Sequence, residues 1–347
     1  MHMADALLSP AVGGAFWAGT AATIGYASKK LKESQDDRKI PLMGVLGAFI
    51  FASQMINFTI PGTGSSGHLG GGMILAILLG PHAAFLVMAS VLTVQALFFA
   101  DGGLLALGCN IWNLGIYPCY IAYPLVYKPL AGDGGSPRRI FAASLASSVA
   151  ALQLGAISVV FQTLLSGNSE LPFGAFVVVM QPIHLAIGIV EGFVTAGVVH
   201  YVRSVRPEIL ESSASADPLP AGASLRNVLV GFVAIAVVTG GALSWFASAH
   251  PDGLEWSIEK ITGKAELPER ERGVPAALKN LQEKTSILPD YGFRKPEGDP
   301  ESAEETPSWP SVDAGTTVSG LVGGALVLAL TLIIGWAIRA IRGRRAG

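Results

Sequence analysis

Charge is what this 347-residue sequence has least of: Asp, Glu, Lys and Arg make up 14% of it, where a soluble domain carries about 25%. That deficit excludes a charged, water-facing surface of ordinary extent. Cysteine is nearly absent as well. Cys109 and Cys119 both lie in apolar stretches, and their spacing fits no C-x-x-C metal or redox motif, so they read as packing residues. No Lys or Arg precedes the first apolar run, so Met1-His2-Met3-Ala4-Asp5-Ala6-Leu7-Leu8 does not read as a cleavable signal. A Gly-x-x-x-x-Gly-Lys-Ser/Thr loop is missing, which removes ATP hydrolysis from this chain. So is His-Glu-x-x-His, which argues against an intramembrane metalloenzyme.

What takes the place of charge is apolar sequence, with 51% hydrophobic residues and a mean hydropathy of +0.51. Residues 11–28, 41–58, 69–80, 82–100, 104–127, 140–165, 175–202, 226–248 and 316–338 are apolar runs, most of them close to the roughly 20 residues that cross a bilayer as a helix. The pattern predicts an all-α polytopic membrane protein. About seven transmembrane helices fall in residues 1–207, a Ser/Ala/Pro linker in 208–225, and two more helices in 226–347 around segment 249–315. Basic residues cluster in loops 29–39, 128–139, 203–226 and the carboxyl tail, which places these on the cytoplasmic side. The amino terminus, 59–68, 166–174 and 249–315 then lie outside, and the carboxyl terminus inside. This parity requires 69–80 to count as a crossing although it is only about 18 Å long as a helix. Irregular backbone buried in protein before it would make that possible. Segment 249–315 shows no periodicity strong enough to predict a compact domain.

The chemistry concentrates at two histidines that the parity brings to one face. His68 lies in a polar, glycine-rich break, Pro61-Gly62-Thr63-Gly64-Ser65-Ser66-Gly67-His68-Leu69-Gly70-Gly71-Gly72, between two apolar runs, and the glycines let the backbone bend closely around it. His2 directly follows Met1. The α-amine of residue 1, the amide nitrogen of residue 2 and Nδ1 of His2 close a five- and a six-membered chelate ring in one plane, and His68 would supply a fourth nitrogen. Tetragonal nitrogen sites suit Ni(II) or Cu(II), whereas Zn(II) prefers a tetrahedron. The amine and the amide must both lose protons on binding. Against this stand plainer readings: His2 as a chance residue of a frayed terminus, and His68 as a loop histidine satisfied by backbone.

Other polar residues in the runs carry paired readings too. His184 and Glu191 share one helix face, as functional groups or as a buried contact locking helices. Asp101, Asn110 and Asn113 either orient the imidazoles from behind or tie helix ends. His82 and His200 read as structural, and Ala142, Ala146 and Ala150 form a small-residue ladder permitting close helix contact. A secondary transporter or channel working alone is the competing functional class. It predicts repeated halves or acids deep in several spans, and neither pattern stands out.

Four stretches resemble the CbiM/NikM family: Met1 to Pro10, the loop from Pro61 to Leu69, Asp101-Gly102-Gly103 through Asn110, and Ile183-His184 through Gly192. Pro251-Asp252-Gly253-Leu254-Glu255, with its flanking spans, resembles the PDGLE/CbiN-type small component, fused here to the same chain. Met3 to Ala6 departs from the Ile-Pro-Asp-Gly turn frequent in the family. The resemblance implies the substrate-binding part of an energy-coupling-factor importer for Ni2+ or Co2+, nickel favoured, in a prokaryotic cell membrane. It implies Met1, His2 and His68 as metal ligands, with no organic cofactor, no nucleic-acid partner and no enzyme activity of its own. Its partners would be the surrounding lipid, a CbiQ/NikQ-like coupling subunit and CbiO/NikO-like ATPase subunits.

One residue added before Met1 moves His2 to position 3 and replaces this ring pattern. Metal binding is expected to collapse with the fold intact, as measured by metal titration and circular dichroism. An extended chain that binds as tightly as the native one would exclude the free amine as a ligand.

Overall fold

The structure is a computed structural model describing residues 2–34, 36–132, 135–168, 171–220, 222–264, 267–268, 272–294 and 309–346. Met1 lies outside the described residues. Every one of the nine apolar runs contains a helix. In chain order these are α1 (Pro10–Ser34), α2 (Ile40–Gln54), α3 (Gly72–Leu79), α4 (Pro81–Phe98) and α5 (Leu107–Ile111). From α5 the chain continues through a widened helical stretch, Trp112–Tyr127, into α6 (Lys128–Ala131). Then come α7 (Pro137–Ser166), α8 (Phe173–Val205), α9 (Pro207–Ser215), α10 (Arg226–Gly241), α11 (Gly253–Thr262), α12 (Val274–Thr285) and α13 (Ala314–Ala346). Among the described residues, Pro81–Phe98, Pro137–Ser166, Phe173–Val205 and Ala314–Arg342 are long and apolar enough to cross a membrane. The chain is an all-α polytopic membrane protein.

Small residues set the close contacts. A side chain at Gly188 or Gly192 of α8 would begin 3.0 Å from the Cα of Val149 or 2.7 Å from the Cα of Leu145, so α7 and α8 approach at backbone distance. The alanine ladder lies outside this seam: Ala142 is exposed, and Ala146 and Ala150 are half-buried. α10 and α13 cross where Gly240 meets Gly320, and α13 lies on α2, with Gly323 against the Phe51 ring. α3 is apolar on every face and fully buried, as such a helix must be. Buried irregular backbone, His68 to Gly71, leads into it.

Two segments outside the apolar runs also carry helices. The 208–225 linker is helical at its start: Pro207 occupies the first helical position, Ala216 closes α9 in the left-handed region, and Ile209 is buried. Segment 249–315 carries α11 and α12. α11 is opened by a capping box in which Asp252 accepts the N–H of Glu255 while Glu255 accepts that of Asp252, and Gly263 closes it.

The connections form two sets. In one, Leu219 N–H donates to Asp36 at 2.9 Å, the amines of Lys39 and Lys128 reach Ser212 and Ala214 carbonyls at 3.2 and 2.9 Å, and Arg339 pairs with Asp37 at 3.2 Å. These are the basic loops. The other set gathers the amino-terminal segment, a short hairpin (β1 Phe58–Ile60, β2 Ser65–Gly67), the 101–103 turn and the 248–291 segment.

The amino-terminal segment is not frayed. Met3, Leu7 and Leu8 are buried. Met3 N–H donates to Asn110 Oδ1 at 2.8 Å, and Met3 O accepts from Gly103 N–H at 3.0 Å and Asn110 Nδ2 at 3.3 Å. Asp5 Oδ1 accepts the N–H of Ala106 at 2.9 Å. The saddle that receives this segment needs glycine, since a Cβ on Gly103 would fall 1.8 Å from Asp5 Oδ1. Gly103→Ala is therefore expected to destabilise the chain by about 1–3 kcal/mol and to expose the Met3 amide to hydrogen exchange. Unchanged protection of Met3 would contradict the seating described here.

Candidate metal site

The structure brings His2 and His68 together. Their rings stack with centroids 5.0 Å apart and planes inclined by 10°. Both side chains are buried. His68 Nδ1 lies 3.0 Å from the Leu69 carbonyl. A carbonyl only accepts, so Nδ1 carries the proton and Nε2 keeps the lone pair, the arrangement common for metal-binding imidazoles. Nδ1 of His2, the atom expected in the chelate, instead sits 2.9 Å from Asp101 Oδ1, and its Nε2 is buried without a hydrogen-bond partner. A buried imidazole takes the strongest acceptor in reach, here a carboxylate. Asp101 thus orients an imidazole from behind, whereas Asn110 fixes Met3 and Asn113 exchanges hydrogen bonds with Gln162 at 2.9 and 3.0 Å.

The glycine-rich stretch is held from three directions. Glu191 of α8 accepts the N–H groups of Gly70 at 2.7 Å and Gly71 at 3.2 Å, and Gln54 donates to the Gly70 carbonyl at 2.9 Å. Buried backbone away from a regular helix needs such partners. The expected contact between Glu191 and His184 is not formed: the Glu191 carboxylate is taken by the loop amides of Gly70 and Gly71. His184 donates Nδ1–H to Met180 O at 2.8 Å, and its Nε2 is buried and unpartnered. It lines a small cavity together with His68, Asp252 and Gly253. His82 meets the Tyr120 hydroxyl at 3.1 Å, far from the imidazole pair in the fold.

The third direction is the Pro251–Glu255 turn, which the sequence pattern did not connect to the site. Ser66 N–H donates to Pro251 O at 2.8 Å, its hydroxyl to His250 O at 2.8 Å, and Trp256 Nε1–H to Thr63 O at 3.1 Å. The docked turn places Asp252 Oδ2 4.0 Å from His68 Nε2. The carboxyl-terminal unit therefore covers the loop that carries His68. The one available signal was Asp252-Gly253-Leu254-Glu255, readable as a capping box and hence as a fixed helix start.

Burial pushes the His68 imidazole down to about 3, so it is neutral at physiological pH. For Asp101, burial favours the neutral acid, but the His2 ring and the Tyr291 hydroxyl outweigh it and hold the carboxyl at about 2. Asp252 is likewise held below its ordinary value against burial, with the Glu255 N–H among the groups that favour its charge. Glu255 is pushed up to about 7 by burial and by the neighbouring Asp252 charge.

Relatives and solved structures resemble this arrangement of sequence. Residues 2–209 match the family described as the cobalt uptake substrate-specific transmembrane region, and residues 226–340 match the PDGLE domain. The chain is 31% identical to the fused nickel transport protein NikMN of Rhodobacter capsulatus over 351 residues, covering 95% of each chain. It is 30% identical to the cobalt transport protein CbiM of Sorangium cellulosum over 216 residues, which are 61% of this chain and 95% of that one. A crystal structure of a transition metal transporter aligns with a TM-score of 0.51 at 32% identity, covering 60% of this chain and 95% of that one.

Because the folded value of His68 lies below the ordinary 6.5, the unfolded chain takes up that proton first. The stability linked to this residue is complete above pH 6.5 and falls as the pH drops toward 3. NMR of isotope-labelled histidine is expected to show His68 neutral throughout pH 5–8, roughly the window in which an unperturbed imidazole titrates. A midpoint near the ordinary value would contradict its burial.

Proposed function

The chain belongs to the family of cobalt uptake substrate-specific transmembrane proteins, with a PDGLE domain on the same chain, and from that premise we propose that it captures a divalent transition metal outside the membrane and delivers it inward. Ni2+ is the favoured substrate and Co2+ the next. The ligands are the Met1 amine, the amide and Nδ1 nitrogens of His2, and Nε2 of His68. The observation that carries this reading is the stacked, buried pair His2 and His68, two imidazoles from distant parts of the sequence at one end of the molecule. Among the described residues no three His, Cys, Asp or Glu side chains are grouped to hold an ion, which favours a site that draws on backbone nitrogen. Chelation through Nδ1 turns the His2 ring away from its present contact with Asp101, a rotation about a torsion with broad wells.

Without a nucleotide-binding loop in its sequence, the chain draws its energy from partners: a CbiQ/NikQ-like coupling subunit and CbiO/NikO-like ATPases. The amino terminus and segment 249–315 face outward, the basic loops and carboxyl terminus inward. That assignment is supported by the separation of the connections into two hydrogen-bonded sets.

His68→Ala removes one of four nitrogens. Its metal affinity is expected to fall by more than the about 10–100-fold typical for losing a group that merely orients a ligand. Uptake should be lost while assembly with partner subunits persists. Normal transport by this variant would make His68 structural and remove the reading. Sustained uptake into liposomes by the purified chain alone, without ATP, would favour the stand-alone transporter instead.

A further inference from the structure

We propose that Gln95 of α4 is a positioning residue for the metal site, joining the loop that carries His68 to the turn against which His2 is seated. This rests on the reading of His2 and His68 as metal ligands. The side chain of Gln95 serves the loop: its Nε2 donates to Gln54 Oε1 at 2.9 Å, and Gln54 Nε2 donates to the Gly70 carbonyl at 2.9 Å. The main chain of Gln95 serves the turn: its carbonyl accepts the N–H of Phe99 at 3.1 Å and that of Asp101 at 3.2 Å. Gly103, at the far end of that turn, donates to Met3 O at 3.0 Å, and a Cβ on Gly102 would start 3.4 Å from the Cβ of His2. The turn fixes the main chain of residues 2 and 3, so the link holds whichever way the His2 ring is turned.

The direction of each bond in this relay is forced. A carbonyl only accepts, so Gln54 presents its NH2 to Gly70 and its oxygen to Gln95, and Gln95 must then offer its own NH2. That orientation leaves Gln95 Oε1 buried without a hydrogen-bond partner, at a cost that an apolar side chain of the same size would avoid. Packing alone does not account for that oxygen. An amide held in one orientation by the loop does. Both glutamines are buried, Gln95 completely, so water does not compete for these bonds.

Both ends of the relay are tight. Glu191 takes the N–H of Gly70 and Gln54 takes its carbonyl, which fixes the backbone two residues from His68. Ala100 has φ of 55°, a left-handed region that non-glycine residues seldom enter. This reversal carries Asp101 N–H back to the Gln95 carbonyl. Nitrogens from residues 1, 2 and 68 share one plane around a metal only if the two segments keep their separation to within about 0.5 Å. Gln95 sets that separation from a rigid helix, bonding to one segment through its side chain and to the other through its backbone.

The test is nickel titration of the full chain in nanodiscs. Gln95→Met keeps the volume and removes the amide, so Gln54 loses its donor and the Gly70 end of the loop is released. It also removes the unpartnered oxygen, and its melting temperature is expected to stay within about 3 °C of native. Nickel affinity should nevertheless fall about tenfold, and the absorption bands of the bound ion should shift. Gln95→Asn, whose amide stops short of Gln54, should lose a similar factor. In a Gln54→Met background, Gln95→Met should cost no more than about a further twofold, the signature of two residues acting in series. Val91→Ala opens a cavity at a buried residue of the same helix. It should lower the melting temperature yet leave affinity within about twofold of native. The proposal is overturned by native affinity in Gln95→Met or Gln95→Asn, by equal losses with and without Gln54→Met, or by an equal loss in Val91→Ala. Native binding by His68→Ala would remove the underlying reading instead, a distinct result.

Discussion

Both backbone groups of Met3 are buried and both are paired, its N–H with Asn110 and its C=O with Gly103 and Asn110. Much of the outer end depends on that anchorage. A chain terminus is ordinarily the loosest part of a protein. Here the third residue is locked like an edge strand against a polar side chain inside an apolar run, so His2 sits beside the 101–103 turn. The glycine at 103 is the geometric condition for this seating. From that fixed point the stacking with His68 and the contact with Asp101 follow.

Three buried or half-buried carboxylates then divide the work of holding the site, each from a different part of the chain. Glu191 satisfies the loop amides of Gly70 and Gly71, Asp101 steadies His2, and Asp252 both caps α11 and faces His68. A cation held there, as proposed, would gain from the charge of Asp101 and Asp252, and in a poorly solvated region each charge counts for more than it would in water. The PDGLE unit contributes directly to this cluster. Its turn covers the glycine-rich hairpin, its Asp252 approaches His68, and its Tyr291 reaches Asp101. The two sequence units therefore meet at the imidazole pair as well as in the helix contacts of α13 with α2.

Much of this was legible in the sequence, and the losses have physical reasons. Low charge and long apolar runs carry the all-α membrane fold because a bilayer leaves few other options for the backbone. Loop charge and parity place residue 2 and residue 68 at one end, where the rings are found stacked. Glu191 announced itself as a carboxylate inside an apolar run, but its partners are backbone N–H groups, which have no signature of their own. α11 was overlooked although Asp252 and Glu255 carry the capping-box spacing. The α7–α8 seam was readable in Gly188 and Gly192, whose four-residue spacing is the same small-residue pattern as that of Ala142, Ala146 and Ala150. Tyr291 had no signal at all: one tyrosine in a polar segment acquires its place only when the 287–291 backbone docks on Phe98 and Phe99.

The central claim is that a metal here is held by nitrogen alone, three of the four atoms coming from the first two residues of the chain. X-ray absorption on the nickel-loaded full chain tests it most directly. The account predicts a four-coordinate, planar Ni(II) centre with four nitrogen neighbours and the pre-edge feature of square-planar nickel. A six-coordinate shell of mixed oxygen and nitrogen would contradict it.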